Sequence, residues 1–201
     1  MSRKPLSREF YNRDPVLVAR ELLGCLLLRA TADGIGGGRI VETEAYLSSG
    51  DPACHASRGQ TRKNRSMFGR AGHAYVYPIH ARYCFNVVTE PEDVPSAVLV
   101  RAIEPQQGVA LLRQRRGCHG VHELASGPAK LCEALAIDTE LDGWDLTLGR
   151  RLWIAAASDA RTDQAVVGRS ARIGVTSAHD LPLRFYLKDD PFVSGPKRLR
   201  A

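Results

Sequence analysis

The fold and the chemistry of this chain both depend on residues 39–46, which read RIVETEAY. Apolar and β-branched residues alternate there with polar ones, and this period of two predicts a β-strand. The alternation places Ile40, Glu42, Glu44 and Tyr46 on one face of that strand. One face therefore carries two carboxylates and an aromatic ring. Such a face suits an enzyme that stacks a planar ligand and directs water at it, although a half-exposed strand with solvated acids has the same pattern.

Length and composition favour one globular domain spanning residues 1–201. The hydrophobic content of 44% is sufficient for a core, and no apolar run approaches the ~18 residues of a membrane span. The basic N-terminus is not followed by the apolar segment of a secretory signal. The five cysteines are widely spaced and form no C-x-x-C pair. We therefore expect reduced thiols and a cytoplasmic protein, associated with the nucleoid if the source is bacterial.

A cluster of positive charge follows directly on the 39–46 strand. The chain as a whole has a net charge of +6, which favours a polyanionic partner. Glycines and an asparagine interrupt the cluster, so a loop is predicted, and phosphate contact and simple solvation are both consistent with it. No acid occurs between the first and last of its five cations, which are Arg58, Arg62, Lys63, Arg65 and Arg70.

The remaining sequence predicts an α+β domain with a curved, mainly antiparallel sheet flanked by helices. The short connections between strands favour antiparallel pairing, and strict βαβ alternation is missing. A helix is predicted from Pro15 to Leu23, with Asp14 as its cap and Gly24 at its end. Further helices are predicted from Pro105 to about Arg116 and over 127–136, the latter with Ser126 as a cap. The glycine-rich residues 32–38 are predicted to form a turn, residues 48–73 an irregular insertion, and residues 25–29, 74–77, 83–88, 97–103, 151–155 and 170–175 strands.

Several polar and aromatic side chains are candidates for a binding site. Tyr75 and Tyr77 share one face of their predicted strand, so Tyr46 and Tyr77 could enclose a planar base, as base-flipping enzymes require. Asn86 lies on an otherwise apolar strand and is either a structural hydrogen-bonding residue or a reader of a base edge. His55 lies between the 39–46 strand and the basic loop. No metal site is predicted, because the order of histidines and Glu123 within residues 118–123 matches no zinc-protease signature.

Taken together, these segments resemble the alkyladenine (3-methyladenine) DNA glycosylase family, also called the methylpurine glycosylases. The order and spacing of the matching segments are more specific than any one of them, and they cover most of the chain. The matching segments are residues 39–47 (RIVETEAYL), 55–58 (HASR), 61–68 (TRKNRSMF), 75–77 (YVY), 86–88 (NVV), 98–105 (VLVRAIEP), 127–131 (GPAKL) and 183–186 (LRFY).

The resemblance implies a monomeric, cofactor-free and metal-free enzyme that flips a damaged purine out of double-stranded DNA and hydrolyses its N-glycosidic bond. Glu44 matches the general base that activates water, and Arg101 matches an arginine near that water. Tyr46, Tyr77 and His55 match the walls of the base pocket. Asn86 matches the asparagine that rejects guanine. No lysine lies near Glu44 on its face, so a Schiff-base lyase step is not expected.

One turn departs from the family pattern. Many relatives carry a tyrosine that wedges into the duplex at the tip of the turn after Tyr77, and here that turn is about one residue short. His80 is the nearest match, with Ile79 as the alternative wedge. Two other functions fit the same residues: a catalytically silent module that binds damaged DNA, and a nucleoside or carbohydrate hydrolase that uses Glu42 and Glu44 as its acid and base.

Overall fold

The computed structural model of the protein describes residues 4–156 and 166–196. Within these ranges the chain forms one antiparallel sheet with α-helices packed against it, which confirms the predicted α+β class. The helices are α1 (Arg8–Tyr11), α2 (Pro15–Glu21), α3 (Val109–Arg116) and α4 (Pro128–Leu135). The strands are β1 (Leu26–Thr31), β2 (Gly34–Tyr46), β3 (Ala74–Ile79), β4 (Arg82–Thr89), β5 (Ser96–Gln107), β6 (Leu152–Ala155), β7 (Val167–Ser170) and β8 (Arg184–Leu187).

Strand β2 organises the sheet. The strands follow the order β3-β4-β5-β2-β1-β6, and β8 joins β2 to β7. One edge of β2 pairs with β5, while the other edge pairs first with β1 and then, from Glu42 to Glu44, with β8. The change of partner along one edge accompanies the curl of the sheet. From Ile40 to Ala45 both faces of β2 are buried, which excludes the alternative of a half-exposed strand with solvated acids.

The glycine-rich segment is strand rather than the predicted turn. Only Gly34 has a positive φ, and the actual turn occupies the residues just before it. A β-carbon on Gly37 would clash with the Leu27 carbonyl of β1, and one on Gly38 would clash with the Glu104 carbonyl of β5. Glycine is therefore needed here because two neighbouring backbones approach closely, which the local sequence does not reveal.

Pro105 belongs to β5 and does not open a helix, contrary to the prediction. It pairs with Gly38 next to a shift in register, and a bulge of this kind is where a strand tolerates proline. Helix α3 begins at Val109, four residues later than expected, after Gly108, whose φ is +63°. Other corrections are smaller: Gly127 rather than Ser126 precedes α4, strand β7 ends at Ser170, and helix α1 and strand β8 were not predicted.

Two apolar clusters lie around the sheet. The larger core joins α2, α3 and α4 to the buried face of the sheet, and the cap predicted for α2 is confirmed because Asp14 accepts hydrogen bonds from two backbone amides of its first turn. The smaller cluster contains Cys54 and Met67 of the basic loop region, with Tyr46 and Tyr77 packed against it. Within the described residues, no helix is long and apolar enough to span a membrane.

Candidate active site

A bulge in β5 directs Arg101 toward the carboxylates of β2. Strand β5 advances two residues, from Val100 to Ala102, while β2 advances only one, from Glu42 to Thr43. Arg101 is therefore the extra residue of the bulge, and bulges characteristically re-aim a side chain. Its Nε lies 2.9 Å from Glu42 Oε1 and its Nη1 lies 3.2 Å from Glu44 Oε1. One buried guanidinium thus contacts both carboxylates predicted to share this face.

Glu42 is fully compensated by its neighbours. Besides Arg101, the Nε of Arg184 donates to Glu42 Oε1 at 2.6 Å, and the Ser194 amide donates to Oε2 at 2.7 Å. Burial opposes the charged form, but the two guanidinium groups outweigh it and hold the pKa of Glu42 below its usual value. Both oxygens of Glu42 therefore have strong donors, and this carboxylate is part of a structural ion network.

Glu44 has a different set of partners. Its Oε1 accepts a hydrogen bond from the Ile173 amide at 2.7 Å and lies beside Arg101, while its Oε2 accepts from the Tyr46 hydroxyl at 3.0 Å. The side chain has no exposed surface. Burial and the neighbouring Glu44 charge together raise the pKa of Tyr46 well above its usual value, so the phenol stays a donor. Glu44 is thus held by one arginine and is in contact with an aromatic wall.

That wall belongs to a cavity of about 470 Å³, within the roughly 300–1,000 Å³ of small-ligand sites. The predicted pocket residues Tyr46, His55, Tyr77 and Asn86 all line it, and Arg58 of the basic loop joins them. Glu44 and Arg101 do not line the cavity, and Glu44 is connected to it through the Tyr46 hydroxyl. The rest of the lining comes from Pro52, Ala53, Cys54, Ser57, Met67, Tyr75, Ile79, Ala97, Gly174, Val175, Thr176 and Ser177.

One side of the cavity is a packed aromatic group. The His55 ring meets Tyr77 edge-on at 4.5 Å between centroids, and its Nδ1 is 2.8 Å from the Tyr75 hydroxyl. Partial desolvation lowers the pKa of His55, so the neutral ring is favoured. Asn86 donates from Nδ2 to the Tyr75 carbonyl at 3.0 Å. In the described part of the chain, ring contacts tie His55 to both of these tyrosines, but none joins Tyr46 to Tyr77.

The basic loop and the hairpin after β3 border this cavity. Arg58, Arg62, Lys63, Arg65 and Arg70 are all exposed, and none of the five forms an ion pair within residues 4–156 and 166–196. In the hairpin, His80 and Ala81 both have positive φ, at 45° and 61°, as a two-residue turn between right-twisted strands requires. His80 is exposed at the tip, and Ile79 is 45% exposed beside the cavity.

Sequence analysis missed the support for Tyr46. Arg172 pairs with Asp51 through two contacts of 2.6 and 2.7 Å, and its guanidinium carbon lies 4.6 Å from the centre of the Tyr46 ring. The two residues are 121 positions apart, and neither has a local pattern that marks it. Metal ligation was not predicted, and within the described residues no group of three or more His, Cys, Asp or Glu could hold a metal ion.

Comparison with known proteins places the chain among the DNA glycosylases, the enzymes that begin base-excision repair. The methylpurine-DNA glycosylase family matches residues 9–191, and the chain belongs to this family. This match confirms the resemblance that the sequence segments predicted. It also confirms that DNA is the polymer on which this class of enzyme acts.

Relatives match nearly the whole chain. A protein of Carboxydothermus hydrogenoformans, named "Putative 3-methyladenine DNA glycosylase", is 48% identical over 190 residues, which cover 94% of this chain and 98% of the relative. A protein of the same name from Methanoculleus marisnigri is 49% identical over 190 residues, with the same coverage. Another, from Rhodopirellula baltica, is 44% identical over 199 residues, covering 96% of this chain and 84% of the relative.

Proposed function

We propose that this protein is a monofunctional DNA glycosylase that flips alkylated or deaminated purines out of duplex DNA and hydrolyses the N-glycosidic bond. The observation that carries this proposal is the contact between Glu44 and Tyr46. A buried carboxylate lies 3.0 Å from the hydroxyl of a tyrosine that lines a cavity of about 470 Å³. This arrangement sets a general base at the edge of an aromatic base pocket. The product is an abasic site.

In the proposed step, Glu44 takes a proton from water as the water oxygen bonds to the anomeric carbon of the sugar. The N-glycosidic bond breaks and its electron pair leaves with the base. The transition state resembles an oxocarbenium ion, which a nearby carboxylate also stabilises. The Ile173 amide and Arg101 occupy Oε1, so the water acts on the Oε2 side, where the Tyr46 hydroxyl now lies. Because Glu44 is fully buried, the Tyr46 side chain must shift to admit water.

Base recognition in this proposal falls to the cavity walls. A purine alkylated at N3 or N7 carries positive charge and gains roughly 0.5–2 kcal/mol of cation–π attraction between Tyr46 and Tyr77 over a neutral base. His55 completes the wall through its contact with Tyr77. Asn86 lines the cavity and rejects guanine through the exocyclic amine of that base.

DNA binding in this proposal uses the rim of the cavity. The exposed cations of the basic loop contact phosphates, and Arg58 does so closest to the flipped base because it also lines the cavity. His80, with Ile79 beside it, fills the gap that the base leaves in the stack. The enzyme acts as a monomer in the cytoplasm, on the nucleoid if the source is bacterial. No described residue lining the cavity is a lysine, which supports hydrolysis without a lyase step.

A single-turnover cleavage assay tests this function. Wild type and Glu44→Gln are incubated with duplex DNA that holds one alkylated purine or one hypoxanthine, and the product is treated with alkali or left untreated. We expect strand breaks only with wild type and only after alkali. Trapping of a covalent complex by borohydride would contradict the monofunctional step. Tight lesion binding by both proteins without any product would instead favour the catalytically silent binding module.

A further inference from the structure

The Asp51–Arg172 pair stands out among the buried groups because it lies directly behind a wall of the cavity. Both side chains are fully buried, and Arg172 also donates to the Ala45 carbonyl at 3.0 Å. Its Nε has no hydrogen-bond partner among the described residues. Asp51 accepts in turn from the backbone amides of Leu47 and Ala53, so the pair is fixed in position.

The guanidinium stacks over one face of the Tyr46 ring. Its central carbon is 4.6 Å from the ring centroid, yet neither Arg172 nor Asp51 contributes to the cavity lining. A base stacked on the opposite face of the ring would lie about 3.5–4 Å from it. The ring therefore separates a buried cation from the position of the base by about 8 Å in all.

At that distance a lone cation affects a charged base and a neutral base differently. It repels a purine that alkylation has made positive, and it has little net effect on a neutral purine. Asp51 cancels this repulsion because its two oxygens lie 2.6 and 2.7 Å from the guanidinium nitrogens. Burial opposes ionisation of Asp51, but the contacts with Arg172 outweigh it and keep its pKa below the usual value, so the cancelling charge is present at neutral pH.

We infer that Asp51 and Arg172 form a charge-balanced clamp behind Tyr46 that sets the preference of the pocket between cationic and neutral purine lesions. Both are positioning residues, since they act through the Tyr46 ring. The inference rests on the proposed function for its substrates, but it concerns the charge behind the ring and not the chemical step. Asp51 and Arg172 thus set the choice of lesion without contacting the lesion.

The test compares two single variants with opposite expected signs. Asp51→Asn leaves the cation uncompensated and should lower the ratio of 3-methyladenine to hypoxanthine excision, measured in single turnover, by about tenfold to thirtyfold. Arg172→Gln leaves the anion and should raise the same ratio. The double variant removes both charges and should return the ratio close to that of wild type. A variant could also disturb the cavity wall, or displace Glu44 through the Ile173 amide next to Arg172. Such a disturbance slows excision of both lesions and therefore cancels in the ratio.

Asp190→Asn serves as the matched control. Asp190 pairs with Arg39 at 2.6 Å in an ion pair that is mostly buried, and neither residue lines the cavity, so its loss should leave the ratio unchanged. Thermal unfolding of each variant identifies any that fail to fold, and either single variant alone gives a signed result. Equal changes for both lesions, or a shift of the same sign in both single variants, would overturn the inference.

Equilibrium binding separates this inference from the proposed function. Affinities of the same variants for duplexes carrying either lesion are measured in the Glu44→Gln background, where no turnover is required. If wild type excises neither lesion but the binding ratio moves in opposite directions for Asp51→Asn and Arg172→Gln, the proposed chemistry fails and the clamp stands. If wild type excises both and the ratios do not move, the clamp fails and the chemistry stands.

Discussion

Glu42 and Glu44 lie two residues apart on the same face of β2, and both are fully buried, but they belong to different regions of the molecule. Glu42 is surrounded by two guanidinium groups and a backbone amide, in an ion network that ties β2 to β5 and β8. Glu44 shares one of those guanidinium groups and otherwise accepts hydrogen bonds from the Ile173 amide and from Tyr46 at the aromatic cavity. The same residue type in the same strand thus belongs to an ion network at one position and contacts a wall of the cavity at the other.

This contrast argues against the alternative in which the two acids act as a catalytic pair. A general acid must carry a proton at neutral pH, whereas the pKa of Glu42 is held below its usual value by two arginines. An acid–base pair also needs both groups to reach the substrate. Neither glutamate lines the cavity, but Glu44 contacts the cavity-lining Tyr46, whereas the partners of Glu42 among the described residues are Arg101, Arg184 and the Ser194 amide, which do not line it.

The largest expected effect comes from exchanging each glutamate for glutamine in turn. Glu42→Gln should cost about 3–5 kcal/mol of unfolding free energy, because two buried arginines lose their shared anion. Glu44→Gln should cost about 1–2 kcal/mol, since Arg101 keeps Glu42, but should slow excision by about 10²–10⁴-fold. Urea unfolding and single-turnover excision measure the two quantities. Equal destabilisation by both exchanges would break the contrast.

A smaller effect is expected on the cavity side of Glu44. Tyr46→Ala removes a stacking wall worth about 1–3 kcal/mol per base, so excision at subsaturating enzyme should fall by roughly 5–150-fold. Tyr46→Phe keeps the ring and removes only the donor to Glu44 Oε2, so the loss should stay within about threefold. The paired rates separate stacking from the hydroxyl contact. A larger loss for Phe than for Ala would assign the main role to the hydroxyl.

The rim of the cavity is expected to contribute less than its wall. His80→Ala should weaken binding to lesion duplex by about threefold to tenfold while leaving binding to undamaged duplex nearly unchanged, because only the flipped state has a gap to fill. His80→Asn is the matched control, since asparagine tolerates the positive φ of this turn but lacks the ring. Fluorescence anisotropy with both duplexes provides the measurement. Equal losses on the two duplexes would count against a wedge.

The two regions should also lose stability in different pH ranges. The folded pKa of His55 lies below the ordinary 6.5, so its contribution is fully present above pH 6.5 and is lost as the pH falls from there through the lower pKa of the folded state. The folded pKa of Glu42 lies below the ordinary 4.5, so its contribution is lost only as the pH falls below 4.5. Unfolding free energies are measured across this pH range. His55→Gln should remove the loss of stability below pH 6.5, and Glu42→Gln should remove the loss below pH 4.5. Identical profiles for the two variants would be the contrary result.

Local patterns predicted the parts of the structure that local physics determines. The alternation of residues 39–46 predicted a strand with both carboxylates on one face. The helix cap at Asp14 was also predicted, because its side chain bonds to the backbone amides of Val16 and Leu17, two and three residues later in the sequence. The cavity residues Tyr46, His55, Tyr77 and Asn86 were predicted through their match to a family pattern, and the structure brings all four to one cavity. Their roles in catalysis stay predictions.

Features that depend on distant backbone could not be predicted in this way. The glycines of β2 and Pro105 of β5 indicate a turn and a helix start when considered alone, and only their pairing with each other makes both of them strand residues. The Asp51–Arg172 and Glu42–Arg184 pairs join residues more than a hundred positions apart. A single acid or arginine in the sequence carries no sign of such a partner.

The bulge at Arg101 makes this part of the sheet sensitive to chain length as well as to side chains. Between Ile40 and Thr43 each strand carries one unpaired extra residue, Val41 on β2 and Arg101 on β5. The two insertions compensate, so the ladder regains its register beyond them. Deleting one of these residues would turn every later side chain of that strand to the opposite face. Deleting both would leave a regular ladder and a protein without its central guanidinium. The sheet therefore keeps its register and its buried arginine only if both single-residue insertions, one on each strand, are retained.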